Sequence, residues 1–165
     1  MGVGKDQGHM VVVTLGFIGI DPGKTGAIAF LHPTEQKVFD MPYVGGEPDV
    51  GVIRSWLTDF KMGRTVTVVI ESQQSMPGQG VSSTFTLGKG YGMVLATVML
   101  AGVRVVVVRP TQWKKEMGIP PKSDKDYSRL LAMRTFPDLQ KDLQRKKDDG
   151  RADALLIAGW GRKQQ

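Results

Sequence analysis

Three runs of apolar and β-branched residues, at 11–20, 65–70 and 103–108, lack the in–out alternation of a strand with one wet face. Such strands are covered on both sides, which demands a sheet held between layers of helix. The first run stops at Asp21-Pro22-Gly23, the second at Glu71 and the third at Arg109-Pro110. Two shorter strands, at 26–31 and 37–41, follow the first through tight connections, so the chain opens as an antiparallel meander.

Helical spacing fills the rest. Val52, Ile53, Trp56, Leu57 and Phe60 recur at i, i+3, i+4 behind Asp49, a good N-cap. A loop at 72–80 contains Pro77-Gly78, and one long helix is expected over 82–101. Its glycines at 88, 90 and 92 predict close approach by another backbone or a ligand. Residues 111–117 form a short helix, 123–136 another ended by Pro137, and the last starts at Asp148 or Asp149 and runs to Gly161. Ala152, Leu155, Leu156 and Ala158 give it a core face. This is a single α/β domain over 11–165. Residues 1–10 are polar, Gly-rich and patternless, a flexible tail or cloning remnant.

Composition narrows the chemistry. The chain of 165 residues has no cysteine, so thiolate sites are excluded, and with only two histidines, His9 and His32, a zinc site is not expected. A metal would be a hard cation on carboxylates. No apolar stretch nears the roughly 18–20 residues of a membrane span. The net charge of +6 is lopsided: residues 1–108 hold eight basic and eight acidic residues, and 109–165 hold fourteen against eight. Such a basic half suits a polyanion, or is simply a solvated surface.

The pattern that carries chemistry is acid at the ends of buried elements. Asp21 and Glu71 each terminate an apolar strand, and Asp148, Asp149 and Asp153 open the last helix. If the two strands are parallel neighbours, Asp21 and Glu71 share one edge of the sheet, where the last helix can join them. Converging carboxylates need a counter-charge, and divalent cations supply it for phosphodiester hydrolysis. Singly, each acid has a plainer use: Asp21 as a turn former, Glu71 as a solvated strand end, the aspartates as complements to a helix dipole.

Ile18-Gly19-Ile20-Asp21-Pro22-Gly23-Lys24-Thr25-Gly26, Ile70-Glu71-Ser72-Gln73 and Lys146-Lys147-Asp148-Asp149-Gly150-Arg151-Ala152-Asp153-Ala154 resemble, in order, the acidic motifs of RuvC-type Holliday junction resolvases. The resemblance covers about residues 16–160 and looks closest to the chloroplast or phage branch. It implies an RNase H-like fold, a mixed five-stranded sheet with helices on both faces. It also implies a homodimer cutting four-way DNA junctions with Mg2+ or Mn2+, two per site, inside a cell or organelle where DNA recombines. Asp21, Glu71 and Asp153 match the family's metal positions, and Lys125 matches a basic residue placed beside them at the scissile phosphate. The segment 72–85 matches the junction-contacting region. There Gln73 is a DNA contact, and Met76 or Phe85 could wedge at the crossover or lie in the core. Lys89, Lys114, Lys115, Lys122, Arg129, Arg145, Lys146 and Lys147 are candidate phosphate contacts.

The fourth acid is Asp148 or Asp149. Helix positions four apart differ by about 40° and share a face, whereas positions five apart differ by about 140°. A helix begun by residue 149 therefore favours Asp149. A later start, which Gly150 permits, would free Asp148 instead. Three other classes compete. An RNase H or rRNA-processing nuclease shares the fold. Actin-like and sugar kinase ATPases share the Gly-Ile-Asp-x-Gly opening but need a far longer chain. A DNA-binding module would have no use for a complete acid set.

Overall fold

The computed structural model describes residues 15–165, apart from the side chain of Lys125. The expected tail at 1–10 and the first four residues of the 11–20 run lie outside the described residues. Strand β1 (Leu15–Asp21) pairs antiparallel with β2 (Ala27–His32), and β2 with β3 (Glu35–Asp40). A two-residue hairpin, β4 (Tyr43–Val44) with β5 (Glu47–Pro48), leads into α1 (Val50–Lys61), whose Asp49 cap accepts from the Val52 amide. Strand β6 (Thr65–Glu71) lies parallel to β1. Helix α2 (Val81–Leu100) returns the chain to β7 (Arg104–Val108), parallel to β6. The sheet order is β3-β2-β1-β6-β7.

After the sheet come α3 (Pro110–Glu116), α4 (Lys125–Thr135), 3-10 turns at Pro137–Leu143 and Lys146–Asp148, and α5 (Asp149–Lys163). Two cores result, one on each face. Ile18, Ile20, Ile28, Val68 and Ile70 meet Ile53, Leu57, Val94 and Val98 of α1 and α2. Phe17, Ala29, Leu31 and Val69 meet α4, α5 and Trp113. The mixed five-stranded sheet with helices on both faces expected from the sequence is therefore what forms.

One expectation needs correction. Strand β7 was expected to be fully buried, but only Val108 is, and Val107 is half exposed. It is an edge strand, paired on one side only, and its valines do not reveal that. The glycines of α2 were expected to admit another backbone or a ligand, and this chain leaves two of the three open. Gly88 and Gly92 face open space, and only Gly90 has a neighbour, the Pro48 ring. No helix among the described residues is long and apolar enough to cross a membrane.

Close approach happens elsewhere. A Cβ on Gly19 would come within 2.0 Å of the Ala154 carbonyl oxygen, and one on Gly150 within 2.0 Å of that of Thr25. Helix α5 lies flush against β1, and its first turn sits on the loop that follows Asp21.

Candidate active site

Side chains alternate along a strand, so Phe17, Gly19 and Asp21 of β1 face α5 while Ile18 and Ile20 face α1. Parallel pairing sets Ile20 beside Ile70, which brings Asp21 and Glu71 to the same edge and the same face. Helix α5 begins at residue 149, so Asp149 and Asp153, four apart, share the face of its first turns. Sheet register and helical phase thus gather four acids from three elements.

The environment of three of them, Asp21, Glu71 and Asp153, opposes ionisation. Burial raises the Asp21 carboxyl to about 6; the Gly23 amide, donating to Oδ1 at 3.2 Å, offsets part of this, and Asp153 and Asp149 add repulsion. Burial raises Glu71 to about 7, against a hydrogen bond from the Trp113 indole and with repulsion from Asp21 and Asp153. Asp153 is raised by burial as well, relieved by Lys114 and Ser128. Lys114 Nζ stands 3.7 Å from Asp153 Oδ2 and is the ammonium that all three of these acids feel.

The acids converge without closing. Among the described residues, no three of them stand tightly enough to make a finished metal cage. The donor set nevertheless fits a hard divalent cation. All donors are carboxylate oxygens, their mutual repulsion calls for positive charge, and Asp153 Oδ1 is buried without a hydrogen-bond partner.

Asp148 goes elsewhere. It is buried with its oxygens bound by Arg145, through the guanidinium at 2.7 and 2.9 Å and the backbone amide at 2.8 Å. That pairing holds its carboxyl below the ordinary range despite burial.

Beside the acids opens a cleft of about 770 Å³, lined by Asp149, Asp153, Ser128, Lys114, Lys115 and Lys122 with Ile119, Pro120 and Pro121. Lys125 begins α4 at this cleft's Asp124 border, but its side chain lies outside the described residues. Lys146 and Lys147 are exposed on the turn before α5. Met76 and Phe85, 70% and 71% exposed, stand clear of the core on and beside α2. Gln73 is half buried at a small groove by Thr84 and Tyr91. Besides Lys114, three basic candidates are otherwise engaged, the first being Arg145, whose guanidinium is bonded to Asp148. Arg129 is turned inward, its guanidinium bonded to Asp126 and to the Leu143 carbonyl, so few donors remain for a phosphate. Lys89 is ion-paired with Glu47.

Sequence reasoning missed Trp113 and Ser128, and it assigned Lys114 to phosphate rather than to the acids. No local sequence signal announced Trp113: Val108 pairs with Glu71, so only the register of β7 shows that a helix beginning at Pro110 delivers its first turn beside that glutamate.

No family model matches the chain. It is 36% identical over 91 residues to the chloroplastic Holliday junction resolvase MOC1 of Chlamydomonas reinhardtii, a match over 55% of this chain and 10% of that much longer relative. Among solved structures it is similar to Thermus thermophilus RuvC, with a TM-score of 0.59 and 21% identity over 90% of this chain and 96% of that one. It is also similar to T. thermophilus RuvC in complex with a Holliday junction substrate, with a TM-score of 0.59, 20% identity, and coverage of 91% and 96%. The resemblance read from the motifs therefore holds for the whole fold: this chain has the RNase H-like architecture of the RuvC resolvases.

Proposed function

We propose that the protein is a nuclease that resolves four-way DNA junctions by divalent-metal-dependent phosphodiester hydrolysis, acting as a homodimer. The observation that carries this reading is the meeting of Asp21, Glu71, Asp149 and Asp153 at one sheet edge beside a cleft walled by lysines. These four would hold Mg2+ or Mn2+, two per site. Such cations, when bound, supply the charge that lets water attack a phosphodiester and its leaving oxygen depart.

The chain's own groups do the rest. Lys115 and Lys122, with Lys125 at the start of α4, hold the backbone phosphates over the acids, and Lys114 tempers the repulsion among them. Gln73, Met76 and Phe85 address the junction from α2 and the loop before it, and Lys146 and Lys147 extend the basic surface. A pair of identical sites suits the approximate two-fold symmetry of a four-way junction, giving paired nicks. The apolar, uncovered surface of α2 is the candidate contact between copies. Such a substrate places the protein wherever DNA recombines, in a bacterial or phage-infected cytoplasm or an organelle.

A synthetic four-way junction, an RNA:DNA hybrid and a linear duplex, each with and without Mg2+, test the reading. Symmetric, Mg2+-dependent nicking of the junction alone is expected. Asp21→Asn or Glu71→Gln should lower cleavage at least about a hundredfold while junction binding persists. Cutting of the hybrid in preference to the junction would replace this reading with an RNase H-like one.

A further inference from the structure

The indole N–H of Trp113 donates to Glu71 Oε2 at 2.7 Å, and the ring is completely buried. Trp113 stands in α3, which starts two residues beyond the strand position paired with Glu71. Lys114 lies over its ring, 5.2 Å from the centroid. An indole is a donor only, so this bond fixes which carboxylate oxygen is engaged and leaves Oε1 for ligation. We infer that Trp113 is a positioning residue that locks the Glu71 carboxylate in the orientation required to bind a divalent cation. The inference rests on the metal site proposed above and deepens it.

The molecule contains its own control. Trp160 Nε1 donates to Glu116 Oε2, also at 2.7 Å and also from a buried ring. Glu116 is exposed and outside the acid cluster, so this second pair is a satisfied buried indole and nothing more. A donor of the same chemistry thus serves structure at one site, whereas at the other it holds a group with a task. Partners that orient metal-ligating groups typically account for about 10- to 100-fold in metal affinity.

Calorimetric titration of the DNA-free protein with Mg2+ or Mn2+ tests this, together with the indole N–H resonances of a 15N-labelled sample. Adding Mg2+ should shift the Trp113 resonance and leave that of Trp160 in place. Trp113→Phe, which keeps a ring but removes the donor, should weaken cation binding about 10- to 100-fold while metal-free junction binding is unchanged. Trp160→Phe should leave cation affinity as it was. If Trp113→Phe does not fold, the wild-type resonances decide by themselves. A wild type that binds Mg2+ with a Trp113 resonance that does not move, or a folded Trp113→Phe with wild-type affinity, overturns the positioning role and spares the nuclease reading. A wild type that binds neither cation overturns the metal site, and this inference with it.

Discussion

The two longest helices, α5 and α2, both contain three glycines, and they use them in opposite ways. In α5, Gly150, Gly159 and Gly161 each press on something: the Thr25 carbonyl, the Phe136 ring and the Val69 side chain. Nearly every residue from Gly150 to Gly161 is buried. In α2 only Val94 and Val98 are buried, while Val81, Phe85, Met99 and Leu100 are exposed at 64% or more. Helix α5 is glycine-rich because its own fold crowds it. Helix α2 is as apolar as a core helix, yet this chain covers little of it. An apolar surface of that kind marks a contact with something else, and a second copy is the reading proposed here.

The largest effect expected is on the crowded side. Gly150→Ala or Gly19→Ala sets a Cβ 2.0 Å from a carbonyl oxygen and should cost about 3 kcal/mol or more, read as a shift in urea midpoint. Full tolerance would show that α5 is not held flush to β1.

Next comes the choice within the first turn of α5. Asp149→Asn should reduce junction cleavage about a hundredfold with little change in stability. Asp148→Asn should retain cleavage and lose about 1–2 kcal/mol by undoing the Arg145 contacts. The reverse result would move the fourth ligand to Asp148.

The acids also set a pH dependence. A carboxyl raised in the folded state keeps its proton where the unfolded chain has lost it. Asp21 and Glu71, raised to about 6 and about 7, should therefore make the metal-free protein less stable as pH climbs from about 4 to 7. Asp148 and Asp40, lowered by hydrogen bonds from Arg145 and Arg151, stabilise the fold above the ordinary carboxylate range and lose that contribution as pH falls from it through their lowered values. Thermal melts from pH 4 to 8 without metal should show Glu71→Gln flattening the upper part of the profile. An unchanged slope would mean that Glu71 ionises normally.

The smallest effects belong to α2. Gly92→Ala, with nothing near its Cβ, should stabilise the helix by about 0.5–1 kcal/mol. Leu100→Glu should change the melting free energy of a monomer by less than about 0.5 kcal/mol yet shift sedimentation from dimer to monomer. A variant that still sediments as a dimer would place the contact on another surface.

What the sequence made legible follows from periodicity. Apolar runs identified β1 and β6 as core strands, and acids at their ends became neighbours once the pairing was parallel. Helical phase set Asp149 beside Asp153, given a helix that starts at residue 149. The edge position of β7 was illegible, because a run of valines reads alike whether one neighbour or two will pair with it. Trp113 was illegible for a related reason: its bond to Glu71 joins elements 42 residues apart and depends on sheet order, which no local pattern carries. The arginine that captures Asp148 sits only three residues away, yet neighbouring basic residues look interchangeable until the backbone turn selects one.

The late place of α5 in the chain leaves one face of the sheet without its cover for much of synthesis. A growing chain can assemble β1, β2, β3 and β6 once residue 71 has emerged, with Asp21 and Glu71 already side by side. Phe17, Ala29, Leu31 and Val69 then wait bare on one side of the sheet until residues 149–163 arrive to seal them. During that interval the half-built domain holds two of its four acids and an open oily flank. Such a bare apolar flank is open to aggregation until α5 covers it.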